Sequence, residues 1–348
     1  MKVLLTGAAG FIGTATATAL RGVGHEVVPV DALVPQAHAR PVTEPEGVHV
    51  LDVRQARDWS GLLSGVDVVC HLAAMVGAGV TVCDLPLYAA HNDLGTAALL
   101  AAMSESGVSR FVQASSMVVY GEGRYRCPAH GDQSPAPRRV EHLDAGLFDN
   151  GCPLCGRLLG WEAVTEDAVL DPRSSYASSK VAQEHYAAAW ARQAGASAIS
   201  LRYHNVYGPG MPRDTPYSGV AAIFRSAMEA GRAPLVFEDG LQMRDFVHVE
   251  DVARANVAAV EAVLGRHRGS HTAYNVCSGQ PVTILDVARM VTAAAPGSPL
   301  PVVSGDYRLG DVRHVVASPA RASAELGFTA RISPEIGLAR FARDPLRA

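Results

Sequence analysis

The sequence predicts an α/β fold, a doubly wound parallel sheet with a smaller, discontinuous α/β lobe. Three observations carry that expectation. Short apolar or β-branched runs recur at Lys2–Thr6, Glu26–Val30, Val48–Leu51, Val66–Cys70, Arg110–Ala114 and Ala198–Leu201. Ala- and Leu-rich stretches separate several of them, and continuous apolar strands alternating with helices imply a parallel sheet covered on both faces. The first strand also runs straight into TGAAGFIGTATATAL, a glycine-spaced turn that opens a helix.

Each element follows in order. With 348 residues the chain can bury one large core or two moderate ones. Residues 1–203 read as the nucleotide-binding domain. Its rhythm breaks at 121–172, a stretch rich in Pro, Gly, Cys and Arg and too long for a structureless loop, so it should carry its own staple. After Tyr203 the turn-rich YHNVYGPGMPRDTP opens the smaller lobe, read as 204–241 and 265–348 with helices at Ser218–Ala230 and Ile284–Ala294. The strand and helix in RDFVHVEDVARANVAAV make 242–264 a return to the sheet.

Composition excludes several classes. A hydrophobic content of 48% and a charged content of 18% are unlike those of a disordered chain. The net charge of −4, with both signs interspersed, leaves no basic stripe for nucleic acid. The first apolar run meets glycine within a few residues and no segment is long enough to span a bilayer, so no membrane association and a cytoplasmic location are expected.

Gly7, Gly10 and Gly13 stand where a dinucleotide fingerprint requires them, after a strand and at a helix start, so that a pyrophosphate can approach backbone amides at the positive end of the helix dipole. Asp31 ends the second strand, where a carboxylate accepts from ribose hydroxyls and repels a 2′-phosphate; NAD is therefore expected over NADP. Asp52, followed by Val53, ends the next strand; it is placed either to meet the adenine amino group or to serve as an ordinary turn residue. Tyr176 and Lys180 in YASSK share one helix face. A tyrosine is a poor base at its ordinary pKa of about 10, and a neighbouring ammonium favours its phenolate. Ser116, in QASSMVVYG beyond the fifth strand, supplies a hydroxyl at the ligand crevice of an open sheet, with Ser115 as its competitor.

Two knuckles, Cys127-x2-His130 and Cys152-x2-Cys155, lie in the insertion. Four such ligands suit tetrahedral zinc with no position left for water, hence a structural site; His142 is an alternative to His130, and unligated thiols or a redox pair are the rival readings. Cys70, Cys83 and Cys277 are expected simply to pack.

Taken together, GAAGFIG, HLAAMVG, SSMVVYG, YASSK, RYHNVYGPG and RDFVHVEDVA resemble the extended short-chain dehydrogenase family of nucleotide-sugar epimerases and dehydratases, over nearly the whole chain outside the insertion. The resemblance implies a Rossmann domain with Tyr176 as acid/base, Lys180 as its electrostatic partner and nicotinamide-ribose ligand, and Ser116 as a hydrogen-bond donor to the sugar oxygen. It implies NAD contacts from Phe11, Ile12, Val53, Leu72, Ala73 and Ala74, and support from Asn92. It places Met117 beside the substrate and Asn205, Arg244 and Arg308 at the diphosphate of a nucleotide sugar. It also implies a homodimer through Asn92–Ser106 and Tyr176–Arg192. Where look-alike dehydratases and decarboxylases carry acidic residues after the triad hydroxyl, this chain has Met117 and Val118, which move no protons. That points to a 4-epimerase. SSMVVYGEGRYRCPAHG with CPLCG resembles the dTDP-L-rhamnose 4-epimerase-like group, implying a dTDP-6-deoxyhexose, with UDP-hexoses and UDP-uronic acids open. A dehydratase, decarboxylase or keto-sugar reductase of the same family, and a non-catalytic NAD-sensing protein with a zinc-loop interaction surface, are the alternatives.

Overall fold

Successive residues of a strand face opposite sides of its sheet, and the first strand uses both sides. Val3 and Leu5 enter one core and Leu4 the other, all three fully buried. The computed structural model describes residues 1–35, 47–77, 82–213, 219–295 and 297–347. The elements run β1 (Lys2–Thr6), α1 (Phe11–Gly22), β2 (Glu26–Asp31), β3 (His49–Val50), β4 (Val68–His71), α2 (Leu85–Tyr88), α3 (Gly95–Glu105) and β5 (Arg110–Ser116). The insertion contributes β6 (Arg124–Cys127), β7 (Gly131–Gln133), α4 (Val140–Asp144) and β8 (Gly160–Glu162). There follow α5 (Ser175–Ala194), β9 (Ser197–Tyr203), β10 (Asn205–Tyr207), α6 (Val220–Glu229), β11 (Leu235–Val236), β12 (Met243–Arg244), β13 (Phe246–His248), α7 (Val249–Ala262), β14 (Ser270–Val276) and β15 (Val282–Thr283). The chain closes with α8 (Ile284–Ala293), β16 (Val302–Val303), α9 (Ala320–Leu326) and α10 (Pro334–Phe341).

Seven strands form one parallel sheet in the order β14-β9-β5-β4-β1-β2-β3, the doubly wound arrangement that places ligands at the carboxyl ends of its strands. α1 and α7 cover one face through Ala17, Leu20, Val252, Ala255 and Ala259; α3 and α5 cover the other through Leu99, Met103, Ala187, Trp190 and Ala191. Each large side chain so buried contributes roughly 1.5–3 kcal/mol. The smaller lobe has a separate core of Tyr207, Phe224, Val287, Leu338 and Phe341 on α6, α8 and α10.

Two placements differ from the sequence reading. α7 returns to cover the sheet as expected, but β13 pairs with β10 in a two-stranded sheet of its own. Ser270–Val276, assigned to the smaller lobe, is instead the edge strand beside β9. Its first half, Ser270-His271-Thr272, is polar and only half-buried, so its apolar signal is confined to Ala273, Tyr274 and Val276. The expected helix at Ser218–Ala230 is α6, with Ser218 outside the described residues. The insertion folds as an antiparallel sheet in the order β7-β6-β8 over a small core of Tyr125, Cys127, Cys152 and Leu159.

One buried ion pair joins α5 to the sheet. Arg202 on β9 donates to both carboxylate oxygens of Glu184, from Nε at 3.0 Å and from Nη2 at 2.7 Å, and both side chains are almost fully buried. Burial alone raises the Glu184 carboxyl, but the Arg202 guanidinium overrides it and holds the group below its ordinary range. A carboxylate depressed in this way adds stability that is complete above its unfolded value of about 4.3 and is lost as pH falls through the folded value. Removing one partner leaves the other charge buried and uncompensated, so Arg202→Ala should lower unfolding free energy by about 3–5 kcal/mol in urea titrations at neutral pH. A loss below about 1 kcal/mol, the level of an exposed pair, would contradict that accounting.

Candidate functional site

The strand ends and the glycine loop enclose a cavity of about 530 Å³ between the two lobes. Gly7, at φ +70°, turns the chain out of β1, and a Cβ there would lie 2.7 Å from the backbone nitrogen of Ala73. Gly13 is equally constrained, since its Cβ would meet the Gly7 carbonyl oxygen at 1.9 Å. Helix α1 begins after Gly10, which supplies no side-chain cap, so the first-turn amides have no side-chain acceptor. An uncapped helix start facing a cavity lined by Gly7, Gly10, Phe11, Ile12 and Gly13 fits a cofactor pyrophosphate. Asp31 lines the same cavity and is pinned by the amides of Ala9 and Leu33, both at 2.9 Å. Asp52, Val53, Leu72, Ala73 and Ala74 line it as well. Asp52 also acts as a turn residue: its carboxylate caps Val53–Gln55 through the Arg54 amide and pairs with the Arg54 guanidinium at 2.6 Å.

α5 is capped by Ser174, whose hydroxyl accepts from the Ala177 amide at 3.1 Å. This sets Tyr176 and Lys180 on the face turned to the cavity. The Ser116 hydroxyl interacts with the Tyr176 phenol and favours its ionised form, whereas the Ser115 hydroxyl is committed to Glu184 at 2.5 Å. The geometry therefore brings Ser116, and not Ser115, to Tyr176. Burial pushes the Tyr176 phenol upward, opposed by the Ser116 hydrogen bond. Burial also draws the Lys180 ammonium down to about 7, opposed by Glu184. Its Nζ donates to the Ala114 carbonyl at 3.1 Å and lies 5.8 Å from the Tyr176 ring centre. Asn92, fully buried, fixes the Met75 backbone at both its amide and its carbonyl and donates to Ser179 at 2.8 Å, so it clips the loop after β4 onto α5.

The expected substrate residues are more scattered. Asn205 lines the cavity, but its amide donates to the Asp245 carbonyl at 2.7 Å and meets Met117 Sδ at 3.5 Å. Arg244 is half-buried. Its guanidinium donates to the carbonyls of Met243, Val312 and Arg313, with no carboxylate within ion-pair distance among the described residues. Desolvation pulls its pKa below the ordinary arginine value. Arg308 is exposed and lies over the Phe237 ring at 5.1 Å.

In the insertion, the ligand atoms of Cys127, His130, Cys152 and Cys155 lie within 4.8 Å of one another. The Cys127 and Cys152 sulfurs are each 3.6 Å from His130 Nδ1, and the Cys127 and Cys155 sulfurs are 3.8 Å apart. Tetrahedral zinc with bonds of about 2.3 Å to sulfur and about 2.0 Å to nitrogen requires S–S and S–N separations of about 3.8 and 3.6 Å. Backbone amides of Ala129 and His130 point at Cys127, and those of Leu154 and Cys155 at Cys152. His142 lies outside the cluster, on α4. Cys70 and Cys277 pack in the interior as expected; Cys83 does not, because it falls on the exposed turn Val82–Asp84 before α2.

Sequence reasoning missed Glu184, although a carboxylate four residues after Lys180 on an Ala-rich helix was its visible signal. It also missed Arg347, which crosses to the glycine loop, donates to the Ala9 carbonyl at 2.8 Å and lines the cavity. A contact between residues 338 positions apart leaves no local pattern.

The comparisons with known proteins agree with this geometry. Residues 3–140 and 156–277 match the NAD dependent epimerase/dehydratase family. The chain is 36% identical to the dTDP-L-rhamnose 4-epimerase of Burkholderia thailandensis, across 97% of this chain and 93% of that protein. It is 31% identical to the UDP-glucose 4-epimerase of Mycolicibacterium smegmatis, across 98% and 97%. Among solved structures, the UDP-glucose 4-epimerase of Thermus thermophilus in complex with NAD superposes with a TM-score of 0.75 at 29% identity, covering 98% of both chains. The UDP-glucuronic acid 4-epimerase of Bacillus cereus, with UDP-glucuronic acid and NAD, gives 0.77 at 26% identity and the same coverage. With its glycine loop, its serine–tyrosine–lysine arrangement and these relatives, the chain belongs to the NAD dependent epimerase/dehydratase family.

Proposed function

We propose that this NAD-dependent nucleotide-sugar 4-epimerase acts on a dTDP-6-deoxyhexose or a UDP-hexose. The observation that carries the 4-epimerase reading is the neighbourhood of Tyr176. Ser116 is the hydroxyl that acts on it, and the next residues, Met117 and Val118, offer no group able to transfer a second proton. NAD, when bound against the glycine loop and Asp31, supplies the capacity to oxidise the sugar carbon and reduce it again. The chain's own residues manage the proton and the orientation. Ser116 holds the reacting hydroxyl, and Tyr176 takes its proton and later gives it back. Lys180, in its protonated form, contributes positive charge that favours the phenolate; its burial works against that charge and Glu184 supports it. Arg244, Asn205 and Arg308 are the residues proposed to hold the diphosphate. An arginine whose hydrogen-bond partners are carbonyl oxygens alone has no carboxylate in contact, and a diphosphate would supply that missing anion. The likeness to the Burkholderia enzyme favours the dTDP sugar.

The Cys/His cluster is read as a structural zinc centre. Its four protein ligands leave no open position for water, and none of them lines the cavity. Homodimerisation is supported by Leu94 and Tyr186, apolar and 56% and 44% exposed, which precede α3 and lie on α5 respectively. No helix among the described residues is long and apolar enough to cross a membrane.

Three outcomes are expected. Incubation with dTDP- and UDP-sugars without added cofactor should yield a C4 epimer of unchanged mass, resolved by NMR, and Tyr176→Phe should slow it by about 10²–10⁴; loss of water or carbon dioxide, or dependence on supplied NADH, defeats the reading. Elemental analysis should find zinc, and a strong chelator should make Cys127, Cys152 and Cys155 reactive together towards a thiol reagent; thiols that react equally fast without chelator count against the centre. Sedimentation velocity should show a dimer that Leu94→Glu with Tyr186→Glu converts to monomer; a wild-type monomer rejects the interface.

A further inference from the structure

The zinc-type cluster and Arg244 lie on different parts of the fold, yet a continuous run of polar contacts connects them. Asp149 and Asn150 stand just before the second knuckle, which closes on itself where Cys152 N donates to Arg157 O at 2.7 Å and Leu159 N to Asn150 O at 2.9 Å. From that knuckle Asp149 Oδ1 accepts from Arg313 Nε at 2.8 Å. Asn150 Nδ2 donates to Glu122 Oε2 at 3.1 Å, and the same oxygen accepts from the Arg313 amide at 2.9 Å. The other knuckle grips the same segment. Cys127 ends β6, and Tyr125 two residues earlier donates from its hydroxyl to Glu122 at 3.1 Å while accepting from the His314 amide at 3.0 Å.

The segment so held is the one that orients Arg244. The carbonyls of Val312 and Arg313 accept from its guanidinium at 2.6 and 2.8 Å. His314 Nδ1 accepts from the Met243 amide at 3.0 Å, which fixes the residue before it. Arg313 is fully buried and has a second set of partners in Glu238 and Asp239, so the insertion supplies part of its restraint and not all of it. A buried arginine with a fork of fixed donors transmits small shifts of its own backbone directly, because its side chain has no freedom to absorb them.

We propose that the Cys/His cluster is a positioning element for the substrate's diphosphate: it sets Arg244 through Asp149, Asn150, Glu122 and the backbone of 312–314. Asp149 and Asn150 are positioning residues in this sense and touch no substrate. The inference rests on the reading of Arg244 as a diphosphate ligand. It assigns the insertion a part in substrate affinity that fold stability alone would not require.

The test uses the full chain with its cofactor and metal as purified, and the probes are dTDP and UDP, titrated calorimetrically. Cys155→Ser should release the metal and weaken binding of the nucleoside diphosphate by about tenfold, a typical coupling between distinct sites, with NAD retained. Asp149→Ala, whose side chain is 45% exposed, should keep the metal and shift affinity in the same direction, raising KM while leaving kcat at saturation in place. The two together should weaken binding by less than the product of the separate effects, because they act along one path. Wild-type affinity in a metal-free Cys155→Ser protein, or in Asp149→Ala, overturns the proposal. Arg244→Ala separates the two failures. If it binds dTDP and UDP as the wild type does, the diphosphate reading falls and takes the coupling with it; if it alone loses affinity, only the coupling falls.

Discussion

The site depends first on the buried pair between Glu184 and Arg202. Glu184 belongs to the helix that carries Tyr176 and Lys180, and Arg202 to the strand beside the one that ends in Ser116. The same carboxylate accepts from Ser115, and the same guanidinium donates to the Tyr120 hydroxyl and the Glu166 carbonyl. Tyr120 in turn donates to Asn275 on the edge strand at 2.7 Å. Three strands and one helix thus meet at a single ion pair. Such pairs contribute little net stability against an apolar replacement of similar volume. What this one fixes is register: together with the Lys180 bond to the Ala114 carbonyl it ties the helix to the sheet, eight residues from the tyrosine.

That arrangement explains which parts of the molecule can be read from the chain. The glycine loop is legible because its constraints are local: residues 7 and 13 admit no Cβ, and the strand and helix around them are contiguous. The order of Tyr176 and Lys180 is legible for the same reason. Ser116 is preferred over Ser115 on its position relative to Tyr120, and the two neighbours do part, Ser116 to Tyr176 and Ser115 to Glu184. Ser270–Val276 was misassigned because it is half-polar and it pairs with β9, 73 residues earlier in the chain. Asp52 shows a different limit, with one carboxylate serving a turn, an arginine and a cavity wall at once.

The insertion divides along the same line. Its ligand spacing is a local property, and the four residues named from that spacing are the four that converge. Its attachment to the rest of the protein is not local. Glu122 reaches Arg313 across 191 residues and Asp149 reaches it across 164, and neither contact shows in the composition of either segment. A charged residue on a Pro- and Gly-rich stretch reads as solvated until the partner strand is in place.

An epimerase that turns its sugar has to restrain the substrate elsewhere, and Arg244 is the proposed point of that restraint. Inverting C4 requires the ring to present first one face and then the other to a cofactor that stays where it is, so the sugar must turn while the rest of the substrate does not. Tight restraint therefore belongs at the pyrophosphate, and looseness at the ring. The proposed contacts follow that division: Arg244 is fixed by three backbone carbonyls, while Met117 and Val118, the two residues after Ser116, carry no charge. Binding energy collected at the remote diphosphate can then hold the substrate through the turn without favouring either face.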